Sequence, residues 1–327
     1  MTGRFVISLD FELMWGVRDH LSIADYGDAV LGARRAIPQM LKLFGHYGIR
    51  ATWASVGMLF ARDRAQLLEF LPSLRPEHDG QCQSPYDFIA RGLGEDEKAD
   101  PYHFGRSLLD LVAGTEGQEI ATHSFAHFCC LEPGHGPEAF SADLAAARSI
   151  MTDAGHNPRS IVFARNQYGD EHIAIAVTRG FDVYRGTQAG FAHRSRPRSQ
   201  NTGLVRASRL FDSLSPFPRR GNSAPSVTPA NVRASHFLRP WMPRASVVSH
   251  WELALVRREL KRAARDGTVF HLWWHPHNMG RNTDRNLARL DEVLRTFRDL
   301  RDKFGLESRS MGDFAHDVSP AIPAGTK

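Results

Sequence analysis

Short apolar runs that alternate with helical patterns constrain this chain more than any other feature. Strand-like runs occur at 4–10 (RFVISLD), 50–56 (RATWASV), 118–122 (QEIAT), 160–164 (SIVFA), 181–184 (FDVY), 268–274 (TVFHLWW) and 306–310. Helical patterns separate them at 28–45, 104–114, 137–154, 169–178, 249–266 and 282–303. In the first helix Val30, Leu31, Ile37, Leu41 and Phe44 fall on one stripe. Gly48, Gly117, Gly180 and Gly267 each stand just before a strand, where a chain leaving a helix turns. A strand that reaches its neighbour through a helix must pair with it in parallel. The expected class is therefore α/β: a distorted (β/α)7-type barrel of mostly parallel strands. No repeat and no linker divides it, so one domain is expected over 1–320. Segments 75–103 and 186–245 lack the alternation and read as insertions on the barrel rim. Residues 321–327 read as a flexible tail.

No run of about 18 apolar residues exists, so no transmembrane helix is expected. The N-terminus runs directly into a strand, without the basic and apolar segments of a signal peptide. The cysteines are Cys82, Cys129 and Cys130, an odd number with two adjacent, which fits a reducing compartment and a cytoplasmic location. The net charge of +5 conceals an asymmetry. Between Arg185 and Arg244 there are eleven arginines, no lysine and one acid, Asp212. This window has three readings. It binds an anionic or phosphate-linked carbohydrate, it touches an anionic membrane surface, or it is a solvated loop. The arginines are scattered among prolines without a nucleic-acid motif, so no nucleic acid is expected.

In a parallel barrel, chemistry gathers at the C-terminal ends of the strands. The first strand ends in SLDFELMWG, which carries Asp10 and Glu12 two residues apart. Residues two apart on a strand share a face, so a positive group must accompany the two carboxylates. Later strand ends supply THSFAHF with His123 and His127, ARNQYG with Arg165, and HLWWHPHNMG with His275 and His277. His123 and His127 with Glu12 make a two-histidine, one-carboxylate set that leaves room for water, as catalytic zinc sites do. Asp10 is then free to handle protons. Two histidines four apart also arise by coincidence in a chain with 16 of them.

SLDFE, ATWASVGMLF, THSFAH, FARNQYG and LWWHPHN occur in an order and rough spacing that resembles the polysaccharide deacetylase family, the NodB-like carbohydrate esterases. The resemblance spans about residues 4–316 and is nearest to cytoplasmic members linked to surface-polysaccharide (O-antigen or capsule) synthesis. It implies a general base at Asp10, a divalent-metal site, most simply Zn2+, at Glu12, His123 and His127, and a general acid at His275. It also implies that Arg165 pairs with Asp10, and that a backbone N–H after Arg165 supports the oxyanion. The family's adjacent aspartates are split here by Phe11. The proline after its arginine is absent, and GFDVYRG replaces an Asp-and-Trp motif, which leaves Asp182 without an assigned role.

The expected substrate-binding residues are Trp15, Asn166, Tyr184, Arg185, Trp274, His277 and Asn278. Trp53 and Trp273 are expected in the core, and Cys129 and Cys130 as buried small hydrophobes. His277 and Asn278 could equally fix the turn after Pro276. The expected function is removal of an N-acetyl or similar acyl group from an amino sugar of a polysaccharide or its precursor. The rivals are a deformylase or metal-free C–N hydrolase of a small molecule, and a carbohydrate-binding pseudoenzyme.

Overall fold

The computed structural model describes residues 2–77, 84–217 and 221–319. Cys82, Arg219, Arg220 and the 321–327 tail lie outside the described residues. Nine strands form one sheet: β1 (Arg4–Phe11), β2 (Ala51–Ser55), β3 (Gln118–Thr122), β4 (Ser160–Ile161), β5 (Val183–Tyr184), β6 (Ala230–Asn231), β7 (His236–Phe237), β8 (Val269–Trp274) and β9 (Glu307–Arg309). The order is β6-β5-β4-β3-β2-β1-β8-β7, with β9 on β1, and every ladder is parallel. The sheet curls until its edges face each other, and residues 232–238 stitch the seam. Val232 and Ala234 donate to the carbonyls of Tyr184 and Gly186 on one side. Ser235 and Leu238 donate to those of His271 and Trp273 on the other.

The helices are α1 (Ile23–Tyr47), α2 (Arg64–Glu69), α3 (Pro85–Arg91), α4 (Arg106–Ala113), α5 (Pro137–Asp153), α6 (Asp170–Thr178), α7 (Gly203–Leu214), α8 (Ser246–Asp266) and α9 (Thr283–Phe304). Local chemistry sets their ends. Ser22 and Asp25 form a capping box at the start of α1, and Gly48 ends it in the left-handed region at φ 67°. The α1 stripe buries Val30, Ile37, Met40 and Phe44 completely. Each such side chain contributes roughly 1.5–3 kcal/mol. No helix among the described residues is long and apolar enough to cross a membrane.

The Arg-rich window is not merely an insertion. It supplies α7 and both strands that border the seam, so the sheet has nine strands among the described residues, within the expected α/β barrel of parallel strands. Two-residue strands are too short to show a period of two.

The period of two sorts β1 and β8 into an outer and an inner face. Phe5, Ile7, Leu9 and Phe11 pack outward against helices, together with Trp53, Leu272 and Trp274. Val6, Ser8 and Asp10 point into the barrel. Its lower interior is apolar, built from Val6, Ala54, Ala121, Val162, Val183, Val269, Met311 and Phe314. Above that layer Ser8, His271 and Arg185 are buried, and Asp10 and Glu12 stand at the mouth. The interior thus passes from oil to charge along the barrel axis, which places the chemistry at the C-terminal end of the strands.

Candidate active site and metal centre

Glu12, His123 and His127 each present one ligand atom, and the three atoms lie within 4.8 Å of one another. The Glu12 carboxylate is 3.3 Å from His123 Nε2 and 3.2 Å from His127 Nε2. Two ligands about 2.0–2.1 Å from a tetrahedral ion stand about 3.3 Å apart, so these spacings fit a bound cation. His123 Nδ1 donates to the Val162 carbonyl at 2.7 Å, which turns the Nε2 lone pair toward the cluster. This nitrogen-and-oxygen donor set fits zinc. It is the one such group among the described residues.

The loops that follow β1, β3 and β4 at the mouth are locally strained. Leu13, Ser124, His127, Arg165 and Asn166 all adopt positive φ, between 46° and 62°. Conformations this rare in non-glycine residues persist only where the surroundings enforce them. After β3 the enforcer is Asp143 of α5, a fully buried carboxyl that accepts the N–H groups of Phe125 (2.7 Å) and Ala126 (3.1 Å). Gly16 admits the Glu12 side chain, because a Cβ there would fall 2.0 Å from its carboxylate. Gly32 of α1 and Gly280 touch backbone to backbone. A Cβ on either would meet the other segment at about 2 Å, so the turn after His275 is pinned against α1.

Asp10 is 3% exposed and is gripped by Arg185, not Arg165. The guanidinium donates from both ends, at 2.6 and 2.7 Å, and also reaches Ser8 Oγ (3.0 Å) and Asn166 Oδ1 (3.3 Å). Its carbon lies 4.2 Å from the centre of the Trp273 ring. Ser8 is held from beneath by His271 Nε2 at 2.8 Å. Burial pushes the His271 imidazole down to about 3, helped by the Arg185 charge. Burial alone would raise the Asp10 carboxyl, but Arg185 outweighs it and holds the group below the usual range. Glu12 is likewise opposed by burial and drawn well down by the surrounding imidazoles, His275 first.

Arg165 turns away to Asp19, at 2.5 Å. Its positive φ directs it there, while Arg185, alternating with Val183, faces inward. The backbone amides after Arg165 are also committed. Asn166 N donates to the Phe163 carbonyl, Gln167 N to that of Ala164, and Tyr168 N to Ser195 Oγ. The expected oxyanion contact from them is therefore not present.

His275 completes the mouth. Its Nε2 lies 3.8 Å from Asp10 and 3.7 Å from Glu12, and its ring stacks on His277 at 5.0 Å. Burial, with the His275 charge, pushes His277 down to about 3. These side chains border a cavity of about 730 Å3. Asn166, His277 and Asn278 line it. Arg165 also lines it.

Other expected positions lie elsewhere. Trp15 is buried, with its indole N–H on the His103 carbonyl at 2.7 Å. Trp274 faces the helices and Trp273 faces the cavity, the reverse of the expectation, because His275 points inward and Trp274 must point out. Tyr184 packs outward against Phe163 and Tyr168. Arg185 serves Asp10 and is not among the cavity-lining residues. Asp182 sits before β5, paired with Arg159, at the strand end away from the mouth. Cys129 and Cys130 are buried and lie outside the ligand group. Sequence reasoning missed Ser8, Asp143 and His271. Each is a polar residue on an otherwise apolar face, a signal present in VISLD, FSADLAAA and VFHLW.

No protein-family model matches the sequence, and no curated protein matches it. Solved structures do share the fold. A Mycobacterium smegmatis protein assigned as a polysaccharide deacetylase aligns with a TM-score of 0.57 at 12% identity, covering 100% of this chain and 96% of that one. A Pseudomonas aeruginosa PAO1 protein with the same assignment gives 0.54 at 12% identity, covering 96% and 90%. A GH57-type branching enzyme from Pyrococcus horikoshii gives 0.53 at 11%, covering 100% and 72%. The chain therefore has the polysaccharide-deacetylase fold. A branching enzyme shares that fold, so the reaction must be argued from the site.

Proposed function

We propose that the protein is a metal-dependent amide hydrolase that removes an acyl group, N-acetyl in the simplest case, from an amino sugar of a polysaccharide or its precursor. The observation that carries this reading is the Glu12–His123–His127 group beside an aspartate locked by Arg185 and facing His275.

Glu12, His123 and His127 would hold a divalent ion such as zinc, which would supply Lewis acidity toward the amide carbonyl and the attacking water. Asp10 takes a proton from that water as its oxygen bonds to the carbonyl carbon. Arg185 keeps the Asp10 carboxylate ionised and fixes its orientation. As the C–N bond breaks, His275 donates a proton to the departing nitrogen, since an unprotonated amine leaves poorly. Trp273 and Phe237 pack against the His275 ring and hold it at the mouth.

Elemental analysis of purified protein, together with acetate release from N-acetylated amino sugars, tests the reading. About one zinc per chain is expected, lost in His123→Ala. Asp10→Asn and His275→Gln should keep the fold but lower kcat by roughly 10²–10⁴-fold, the typical worth of a general base or acid. Full activity after exhaustive chelation would refute the metal-dependent mechanism.

A further inference from the structure

Six arginines line the cavity: Arg165, Arg194, Arg196, Arg198, Arg209 and Arg239. Three have carboxylate partners in the protein. Arg165 and Arg198 share Asp19, and Arg239 pairs with Glu252. The other three have no carboxylate partner among the described residues. Arg196 donates to the carbonyls of Phe191 and Arg194, and Arg209 donates to that of Ala192. Arg194 and Arg196 both lie against the Phe191 ring, at 5.7 and 5.1 Å. Backbone carbonyls and one ring therefore hold the guanidinium groups in place without cancelling their charge.

Arg196 and Arg209 are also close neighbours. Burial depresses Arg209, and the neighbouring Arg196 charge depresses it further, so like charges are pressed together beside the cavity. Arg209 projects inward from α7, whose other face exposes Leu204 and Phe211 to solvent. On the same wall Gln188 Oε1 and Asn201 Oδ1 are buried acceptors with no hydrogen-bond partner in the protein. Hydroxyl groups of a sugar are donors that would satisfy them.

We propose that Arg194, Arg196 and Arg209 form an anion subsite for a phosphate ester, so that the substrate is an acylamino sugar carried on a phosphate or diphosphate. Planar guanidinium forks match phosphate oxygens two at a time. The sugar lies between this subsite and the Glu12–His123–His127 group, with its hydroxyls toward Gln188 and Asn201. The subsite rests on the hydrolase reading only for the statement that the bound molecule is a substrate.

Isothermal calorimetry tests it, with UDP-N-acetylglucosamine, a short-chain prenyl-diphosphate N-acetylglucosamine and neutral N-acetylglucosamine as titrants. Each is titrated into the full chain and into His123→Ala, which removes phosphate contact with a bound metal. Both proteins should bind a diphosphate sugar. Arg196→Gln with Arg209→Gln should raise its Kd at least tenfold per arginine, the worth of a charged hydrogen bond. Neutral sugar binding should change less than twofold. Whichever diphosphate carrier binds tighter identifies the source of the phosphate. Arg194→Gln, at an exposed position, should raise Kd several-fold and serves if the double variant does not fold. An unchanged Kd in these variants, or an equal loss for the neutral sugar, overturns the subsite. Intact diphosphate binding with no acyl release on any substrate would count against the hydrolase reading alone.

Discussion

Replacing Arg185 with Met asks whether this arginine, rather than Arg165, sustains the candidate base. Arg185 is 1% exposed and Asp10 3%. The two bonds between them, at 2.6 and 2.7 Å, are therefore shielded from water. An exposed ion pair is worth roughly 0–1 kcal/mol. Removing one partner of a buried pair instead leaves an uncompensated charge, at roughly 3–5 kcal/mol. The second figure applies, since among the described residues the guanidinium's other partners are Ser8, Asn166 and the Trp273 ring, none of them charged. A domain with a total stability of about 5–15 kcal/mol registers such a loss clearly. The assay is guanidinium unfolding at pH 7 with excess zinc, on Arg185→Met, Asp10→Asn and the double variant. Arg185→Met should lose about 3–5 kcal/mol. The double variant should lose well under the sum of the single losses, because it buries neither charge alone. Arg165→Met should show no coupling to Asp10. A loss under about 1 kcal/mol for Arg185→Met, or additivity within about 0.5 kcal/mol, would refute the reasoning.

Three further outcomes follow from the shell around the ligands. Burial pushes the Asp143 carboxyl up to about 7, although the Phe125 and Ala126 amides pull against it. An unfolded aspartate titrates near 3.8. Between these values the folded state binds the extra proton, so this group's contribution to stability falls as pH rises from about 4 to 7. Stability measured against pH should lose that slope in Asp143→Asn, and an unaltered slope would show that the carboxyl is not the source. Asp143→Ala should also weaken zinc binding by roughly 10–100-fold, as loss of ligand-orienting groups does. Gly16→Ala places a methyl group on the Glu12 carboxylate. Elemental analysis should then find the zinc lost while circular dichroism finds the fold retained; full occupancy would mean that Glu12 has another route to the ion.

Much of the architecture was legible before any coordinates. Alternating apolar runs and helical stripes dictated a parallel sheet, and β3 matches the 118–122 run residue for residue. Adjacent strands of a parallel sheet end at one face, so the acids after β1 and the histidines after β3 and β8 had to meet. Period two also determined that Asp10 faces into the barrel with Ser8, and Trp273 with His275. The reversed expectation for Trp273 and Trp274 came from weighing residue type above that parity.

What the tertiary structure alone decided is which distant groups touch. Arg165 and Arg185 both follow strands, and nothing in chain order says which one reaches Asp10. The curl of the sheet brings the end of β5 across the barrel to β1, while a left-handed backbone turns Arg165 to Asp19. Closure of the seam by 232–238 was equally hidden, since two-residue strands have no period and their hydrogen bonds run to partners tens of residues away. Local sequence sets which face a side chain takes. Only the closed sheet sets which charges share the interior, because that depends on the distance across the barrel rather than along the chain.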